Sequence, residues 1–178
     1  MVYRIETQRL GLRKWKASDL APFAEMNGDK RVMEFFPATL TFSESVSMLK
    51  RIEDFFERNN FGLWATEIKE GKKFIGFVGL NVPQFQADFM PCTEIGWRLG
   101  IDHWGKGYAT EAAIACLEYG FTRLRLAEIV SFTSRLNIRS ENVMKKIGMQ
   151  YAGSFEHPFI EEGNKLKTHL LYKKTPWG

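Results

Sequence analysis

The chain has 178 residues, 44% of them apolar and 26% charged, with a formal net charge of +4, a size that fits one ordinary domain over residues 1–178 with a substantial core. No stretch approaches the ~20 apolar residues of a membrane span, the opening Met1-Val2-Tyr3-Arg4-Ile5-Glu6 lacks a signal-peptide core, and the positive charges are scattered, which argues against a nucleic-acid-binding segment. Two cysteines, Cys92 and Cys116, without CxxC spacing argue against a metal site and fit a reducing, cytoplasmic setting.

Leu10-Gly-Leu-Arg13 alternates as a short strand does. Ser18-Asp19 offers a helix start, with Pro22 tolerated in the first turn, and a second short helix is expected over Arg31 to Phe35, before Pro37. Thr41-Phe-Ser-Glu44 has capping-box spacing. It predicts a long helix to about Arg58 whose buried stripe is Val46, Leu49, Ile52, Phe55 and Phe56. Phe61 to Ile68 and Phe74 to Val82 read as a hairpin turning at Glu70-Gly71, and Thr93 to Leu99 as a further strand. Gly76, Gly79 and Gly96 inside these strands suggest bulges or close backbone approach. Pro83 to Pro91 is a loop. A helix from Tyr108 to Arg123 carries Ala113, Cys116, Leu117, Gly120, Phe121 and Leu124 at spacings of three and four. Then come a β-branched strand over Glu128 to Thr133, a short helix starting near Asn137 and ending at Gly148, and strands near Tyr151-Phe155 and Leu166-Tyr172. The fold class is α+β (α/β) around one sheet.

The most informative stretch is Trp104-Gly-Lys-Gly-Tyr-Ala109 between a strand and a helix. Gly105 and Gly107 let the backbone turn tightly, and the helix that follows presents free N–H groups and the positive end of its dipole. Such a turn suits a phosphate, although it is also an ordinary turn. It is not a nucleotide P-loop, because Gly107 rather than Ser or Thr follows Lys106. Nor is it a dinucleotide fingerprint, which needs Gly-x-Gly-x-x-Gly.

Glu94-Ile-Gly-Trp-Arg-Leu99, Trp104-Gly-Lys-Gly-Tyr-Ala-Thr-Glu-Ala112, Asn137-Ile-Arg-Ser140 and Lys146-Ile-Gly-Met149, in this order, resemble the Gcn5-related N-acetyltransferase (GNAT) superfamily. With the opening Thr7-Gln-Arg-Leu-Gly-Leu-Arg13, the likeness is narrower, to the branch that includes the ribosomal-protein N-terminal acetyltransferases. It runs from about Thr7 to Tyr172. The resemblance implies a mostly antiparallel, twisted central sheet, splayed between its fourth and fifth strands (Thr93-Leu99 and Glu128-Thr133), with helices on both faces and acetyl-CoA in the split. It implies acetyl transfer to a primary amine, on a small molecule or a protein N-terminus, with no metal, nucleic acid or membrane involved and with a homodimer as one assembly open to the chain.

The resemblance also assigns roles. Trp104, Gly105, Lys106, Gly107, Tyr108, Ala109 and Thr110 would hold the pyrophosphate, the first departing from the family's Gln or Arg. Trp97, Arg98 and Leu99 would bond the pantetheine arm along a free strand edge, with Gly96 as a bulge that frees it. Asn137 matches a cofactor-arm contact, though Asn is also a favoured helix N-cap. Ser140 lies near the cofactor sulfur, though it also suits a first helical turn. Glu94 would take the amine's proton, the alternative being an exposed strand residue. The family's usual proton-donating tyrosine is replaced by Met144, which leaves Ser140 or a water as donor. That departure supports an alternative reading, a CoA-binding sensor or scaffold with little catalysis. The first two helices and the Pro83–Pro91 loop are expected to shape the acceptor pocket, and their aromatics Phe35, Phe36, Phe85 and Phe89 suit either an apolar substrate or simple packing.

Overall fold

A computed structural model describes residues 3–176. Ile5–Glu6 (β1) pairs antiparallel with Leu10–Arg13 (β2). β1 has only two residues, too few for an alternating pattern to show in the sequence. A single 3-10 turn at Ala17–Asp19 leads into α1, Leu20–Gly28. Residues 31–35, expected as a helix, form a turn instead. The Asp29 carboxylate accepts from the Arg31 backbone N–H at 2.8 Å, and Met33 N–H bonds Asp29 O at 3.0 Å. The stretch between Gly28 and Pro37 is too short to repay the cost of nucleating a longer helix.

Phe42–Asn59 (α2) opens on the Thr41/Glu44 capping box and closes on Asn60 in the left-handed conformation. Its buried positions are Ser45, Leu49, Ile52 and Phe56. Val46, expected inside, is exposed, because Ser45 turns inward to accept a hydrogen bond from Asn27 Nδ2 at 3.1 Å. Leu63–Ile68 (β3) and Lys73–Asn81 (β4) form the expected hairpin, with Gly71 at φ 73° in the turn. Glu94–Leu99 (β5), Tyr108–Thr122 (α3), Ile129–Ser134 (β6), Ile138–Lys146 (α4), Gln150–Glu156 (β7) and Thr168–Lys174 (β8) follow.

The strands make one eight-stranded sheet in the order β1-β2-β3-β4-β5-β6-β8-β7. Every neighbouring pair is antiparallel except β5 and β6, which run parallel and share one register pair, Glu94↔Val130. The fold matches the α+β expectation, and the weak junction falls between the two strands predicted to part. Counting β1 shifts their position from fourth and fifth to fifth and sixth. Alternation along β4 sends Phe77 and Leu80 to opposite faces. Phe23 of α1 stacks edge-on to Phe77 at 6.2 Å, while Leu80 lies under Gly120 of α3. Helices therefore cover both faces.

Gly79 permits a close approach, since a Cβ there would sit 2.1 Å from Gly62 O. Gly96 does not form the expected bulge, because β4 and β5 pair without a register shift through Gly79↔Gly96. The edge of β5 is freed by the departure of β6. No helix among the described residues is long and apolar enough to cross a membrane.

Candidate active site

β5 and β6 are held together at one end only. Val130 N–H bonds Thr93 O and Ser131 Oγ bonds Ile95 O, both at 2.9 Å. Beyond that point the strands diverge, and a cavity of about 760 Å³ opens between them, within the ordinary range for a small-molecule site. One wall is the end of β5 and the turn that follows. Gly105 and Gly107 take φ of 72° and 79°, the left-handed region in which a Cβ is strained. Gly107 is the N-cap of α3 and supplies no side-chain cap, so the first N–H groups of that helix open into the cavity.

Trp97, Arg98, Leu99, Trp104, Gly105, Gly107, Tyr108, Ala109 and Thr110 all line this space, together with Glu94, Asn137 and Ser140. Lys106 alone of the predicted set does not, and its side chain is exposed. The Trp104 indole N–H donates to Leu99 O at 2.8 Å. It ties the turn to β5, so any anion bound here would be met by the turn's backbone N–H groups. A bulky residue at position 107 should therefore act mainly on the ligand. Gly107→Leu is expected to weaken acetyl-CoA binding at least tenfold, against a stability loss near the ~1–2 kcal/mol of a left-handed non-glycine residue. Calorimetry and thermal melting separate the two, and an unchanged affinity would remove the turn as the phosphate seat.

Two arginines brace this wall that sequence reasoning did not single out. Arg9 donates to Lys106 O at 3.0 Å and to Glu111 Oε2 at 2.6 Å, and its guanidinium stacks 4.6 Å over Tyr108. Arg139 stacks 4.6 Å over Trp104 and pairs with Glu34 at 2.5 Å. Their partners lie far along the chain, so no local pattern announces them. His103 lines the cavity beside the turn with Nδ1 buried and unpartnered. Burial first, then Lys73 and Lys106, holds its imidazole below the usual pKa, so it is neutral at neutral pH.

The opposite wall comes from α4. Asn137 caps it, its Oδ1 accepting from Ser140 N–H at 3.1 Å while Nδ2 donates to Thr133 Oγ1 at 3.1 Å. Asn137 is thus the N-cap of α4 and at the same time lines the cavity. Ser140 also faces the cavity, and its hydroxyl has no hydrogen bond within the described residues. Met144 is buried and lines the cavity as well. A thioether there offers no proton.

Toward the α1 and α2 side, Glu94 and Arg98 project from the same face of β5. The Glu94 carboxyl folds back toward Gly96, where an added Cβ would lie 4.0 Å from its Oε1. Burial pushes this carboxyl up to about 8. Phe35, Phe36, Met48 and Phe77 complete this part of the wall. Of the two readings open for Phe85 and Phe89, pocket wall or packing, the second holds, and they lie behind the wall. They join Phe132 and Phe155 in an aromatic cluster, with Phe89 4.9 Å from Phe155 and Phe85 5.6 Å from Phe132. His157 and His169, 4.8 Å apart, connect the cluster to the cavity.

Burial, then His169 and Lys167, lowers the His157 pKa to about 4. The unfolded histidine titrates near 6.5, so between those values the unfolded chain binds the extra proton and stability falls as pH falls. Melting temperature should drop from pH 6.5 to 4 more steeply in the native protein than in His157→Phe. Parallel curves would show that this ring is not responsible.

Cys92 is no nucleophile in this arrangement. It does not line the cavity, its thiol donates to Met90 Sδ at 3.3 Å, and burial, with Glu94 and Glu128, pushes it up to about 11. Cys116 is buried in α3. Among the described residues no cluster of metal-type ligands occurs.

Comparison with known proteins gives a consistent result. The family model of the acetyltransferase (GNAT) domain matches residues 9–150. The uncharacterized N-acetyltransferase YnaD of Bacillus subtilis is 33% identical over 172 residues, covering 94% of each chain. Spermidine N(1)-acetyltransferase of Escherichia coli is 32% identical over 159 residues, covering 85% of this chain and 78% of its own. Among solved structures, a GNAT-family acetyltransferase from Bacillus anthracis superposes with a TM-score of 0.80 at 26% identity, over 96% of this chain and 97% of its own.

Proposed function

The chain belongs to the GNAT acetyltransferase family, and on that premise we propose that residues 1–178 act as one domain that moves the acetyl group of acetyl-CoA directly to a primary amine in a ternary complex. The observation that carries this reading is the cavity at the β5–β6 split. It has anion-binding backbone at one end and a partly desolvated carboxyl, Glu94, within it. The residues suit the cosubstrate. The first turn of α3 offers N–H groups for a pyrophosphate, and the edge of β5 from Gly96 to Leu99 has no strand beside it to compete with an amide-bearing arm.

A protonated amine has no lone pair with which to attack a thioester. A lysine-type amine near pKa ~10.4 must give up a proton, and an α-amine near ~8 is already partly free of it. Glu94 near 8 is matched to receive that proton close to neutral pH. The amine nitrogen bonds the acetyl carbon, and the C–S bond breaks with its electron pair leaving on sulfur. The N–H proton shed as the amide forms passes to the Glu94 carboxylate when the amine arrives already unprotonated, and otherwise toward the departing thiolate. A thiol near ~8.5 is stable enough as thiolate to leave with little help, and the Ser140 hydroxyl or a water can return a proton to it. Neither cysteine faces the cavity, which favours direct transfer over an acyl-enzyme route. Two free cysteines also suit a reducing compartment such as the cytoplasm.

A thiol-release assay with acetyl-CoA and a chemically varied amine panel tests the proposal, alongside thermal stabilisation by acetyl-CoA. Stabilisation with no release over the whole panel would favour the second reading, a CoA-binding sensor, for which Met144 in place of a proton donor is the supporting observation. Absence of both would overturn the two readings together.

A further inference from the structure

The acceptor side of the cavity contains a cation with no counter-ion. Arg98 makes no ion pair among the described residues, and its polar contacts within the protein come from Nη1 alone. That nitrogen donates to Asn27 Oδ1 at 2.7 Å and approaches Met48 Sδ at 3.9 Å. Nε is buried with no hydrogen-bond partner, and Nη2 has none either. Nε–H and the adjacent Nη2–H point the same way, and together they form the side-on edge of the guanidinium, the fork that receives a carboxylate through two parallel hydrogen bonds.

The surroundings hold this fork in place. Phe36 lies 4.2 Å and Phe77 5.5 Å from the guanidinium carbon. Asn27 is itself fixed by Ser45, and both are fully buried. Burial draws the Arg98 pKa down to about 10, which still leaves it charged at neutral pH. Nothing in the transfer chemistry uses this side chain. The buried Nε–H is left without an acceptor, and beside a guanidinium the acceptor that fits best is an anion supplied from outside.

We propose that Arg98 receives the carboxylate of the acceptor, which is therefore a small molecule, an amino acid or short peptide, carrying both a primary amine and a carboxylate. The amine end rests on the transfer reading above. Glu94 and Arg98 share one face of β5, and Gly96 between them adds no side chain to separate the two ends. Glu94 folds back over Gly96, so roughly two strand residues, ~7 Å, separate its carboxyl from the level of Arg98. A polyamine would place a second positive charge against Arg98, and apart from Glu94 no carboxylate of the described residues lines the cavity. Spermidine should accordingly be a poor ligand.

The test measures binding to the acetyl-CoA analogue-loaded protein by calorimetry, so that it does not depend on turnover. ω-Amino acids of increasing length and glycyl dipeptides are each compared with their own amides, in which the carboxylate is lost and the distant amine is almost unchanged. At least one acid should bind about tenfold or more tightly than its amide, the scale of a charge-assisted bidentate contact. Arg98→Met should bring that ratio near one, Arg98→Lys should keep part of it, and spermidine should not compete. No acid preferred over its amide anywhere in the series would overturn the proposal. So would a preference that persists in an Arg98→Met protein holding CoA normally. If that variant does not fold, the acid-to-amide series on the native protein still decides. Acids bound through Arg98 with no thiol released would leave this inference standing and count against acetyl transfer instead.

Discussion

Glu94→Gln is expected to lower kcat by about 10²–10⁴-fold for an alkylamine acceptor. The substitution keeps the shape of the side chain and removes its ability to accept a proton. Glu94 lines the cavity next to the register pair it makes with Val130, where the proposed transfer would bring amine and thioester together. In the native enzyme kcat/KM should climb with pH and level off above about 8, the pKa to which burial pushes this group. The base works only once it has lost its own proton, which fixes the sign. The acceptor's ionisation also contributes to such a rise. The two are separated with an aromatic amine that is already unprotonated in mildly acid solution. With that acceptor the rise should persist in the native protein and vanish in Glu94→Gln. A pH profile common to both proteins would remove Glu94 as the base.

The same substitution should change stability in the opposite direction. Glu94 titrates near 8 in the folded protein and near ~4.3 when unfolded. Between those values the folded state keeps a proton that the unfolded chain has released. Stability is therefore full below the carboxylate range and declines as pH rises toward 8. Glu94→Gln, neutral throughout, should melt higher than the native protein at about pH 8, with the difference shrinking toward pH 4. A residue kept only for structure would not lose activity while gaining stability in alkaline solution.

The glycine turn and the helix starts were legible because their signals are local. Gly105 and Gly107, the capping box at Thr41, and Asn137 ahead of α4 each act on backbone within a few residues. The contacts that join distant parts of the cavity wall were not legible in this way. Arg98 finds Asn27 across 71 positions, and Arg9 finds Glu111 across 102. Whether Arg98 meets a carboxylate or an amide is decided by packing of α1 against the sheet, which no periodicity records. Val46 and Ser45 illustrate the same limit. Hydrophobic spacing favoured Val46, but a hydrogen bond from Asn27 repays burying the smaller polar residue. The turn over residues 31–35 shows the converse case, in which helix-compatible residues lacked the length to form one. Phe85 and Phe89 fitted either a pocket or simple packing by sequence, and it is long-range contact with Phe132 and Phe155 that takes them behind the cavity wall.

Removing Arg13 should cost about 3–5 kcal/mol of folding stability, the scale for breaking one partner out of a buried ion pair. Arg13 lies on β2 and is 3% exposed. Its Nη1 and Nη2 hold both oxygens of Asp19 at 2.6 and 2.9 Å, and its Nε holds Glu67 at 2.5 Å. Glu67 also accepts from Tyr3 at 2.8 Å and from Lys16 at 3.3 Å. Burial alone would raise the Glu67 pKa, but its hydrogen bonds with Arg13 and Tyr3 outweigh that and hold it low. In Arg13→Met two buried carboxylates would lose the cation between them, so a fall in the urea midpoint is expected. Replacing Arg13, Asp19 and Glu67 together by apolar residues should recover much of the loss, because no buried charge is then left unpaired and Lys16 can reach solvent. An unchanged midpoint in Arg13→Met would show that the network contributes little.

The consequence reaches the site by a specific route. Asp19 sits at the entry to α1, α1 carries Asn27, and Asn27 holds the Nη1 of Arg98. The glycine turn and α3 are braced separately, through Arg9 and Glu111. Under conditions in which Arg13→Met remains folded, acceptor KM should therefore rise before acetyl-CoA affinity falls. Equal loss of both would mean that the two walls of the cavity loosen as one body.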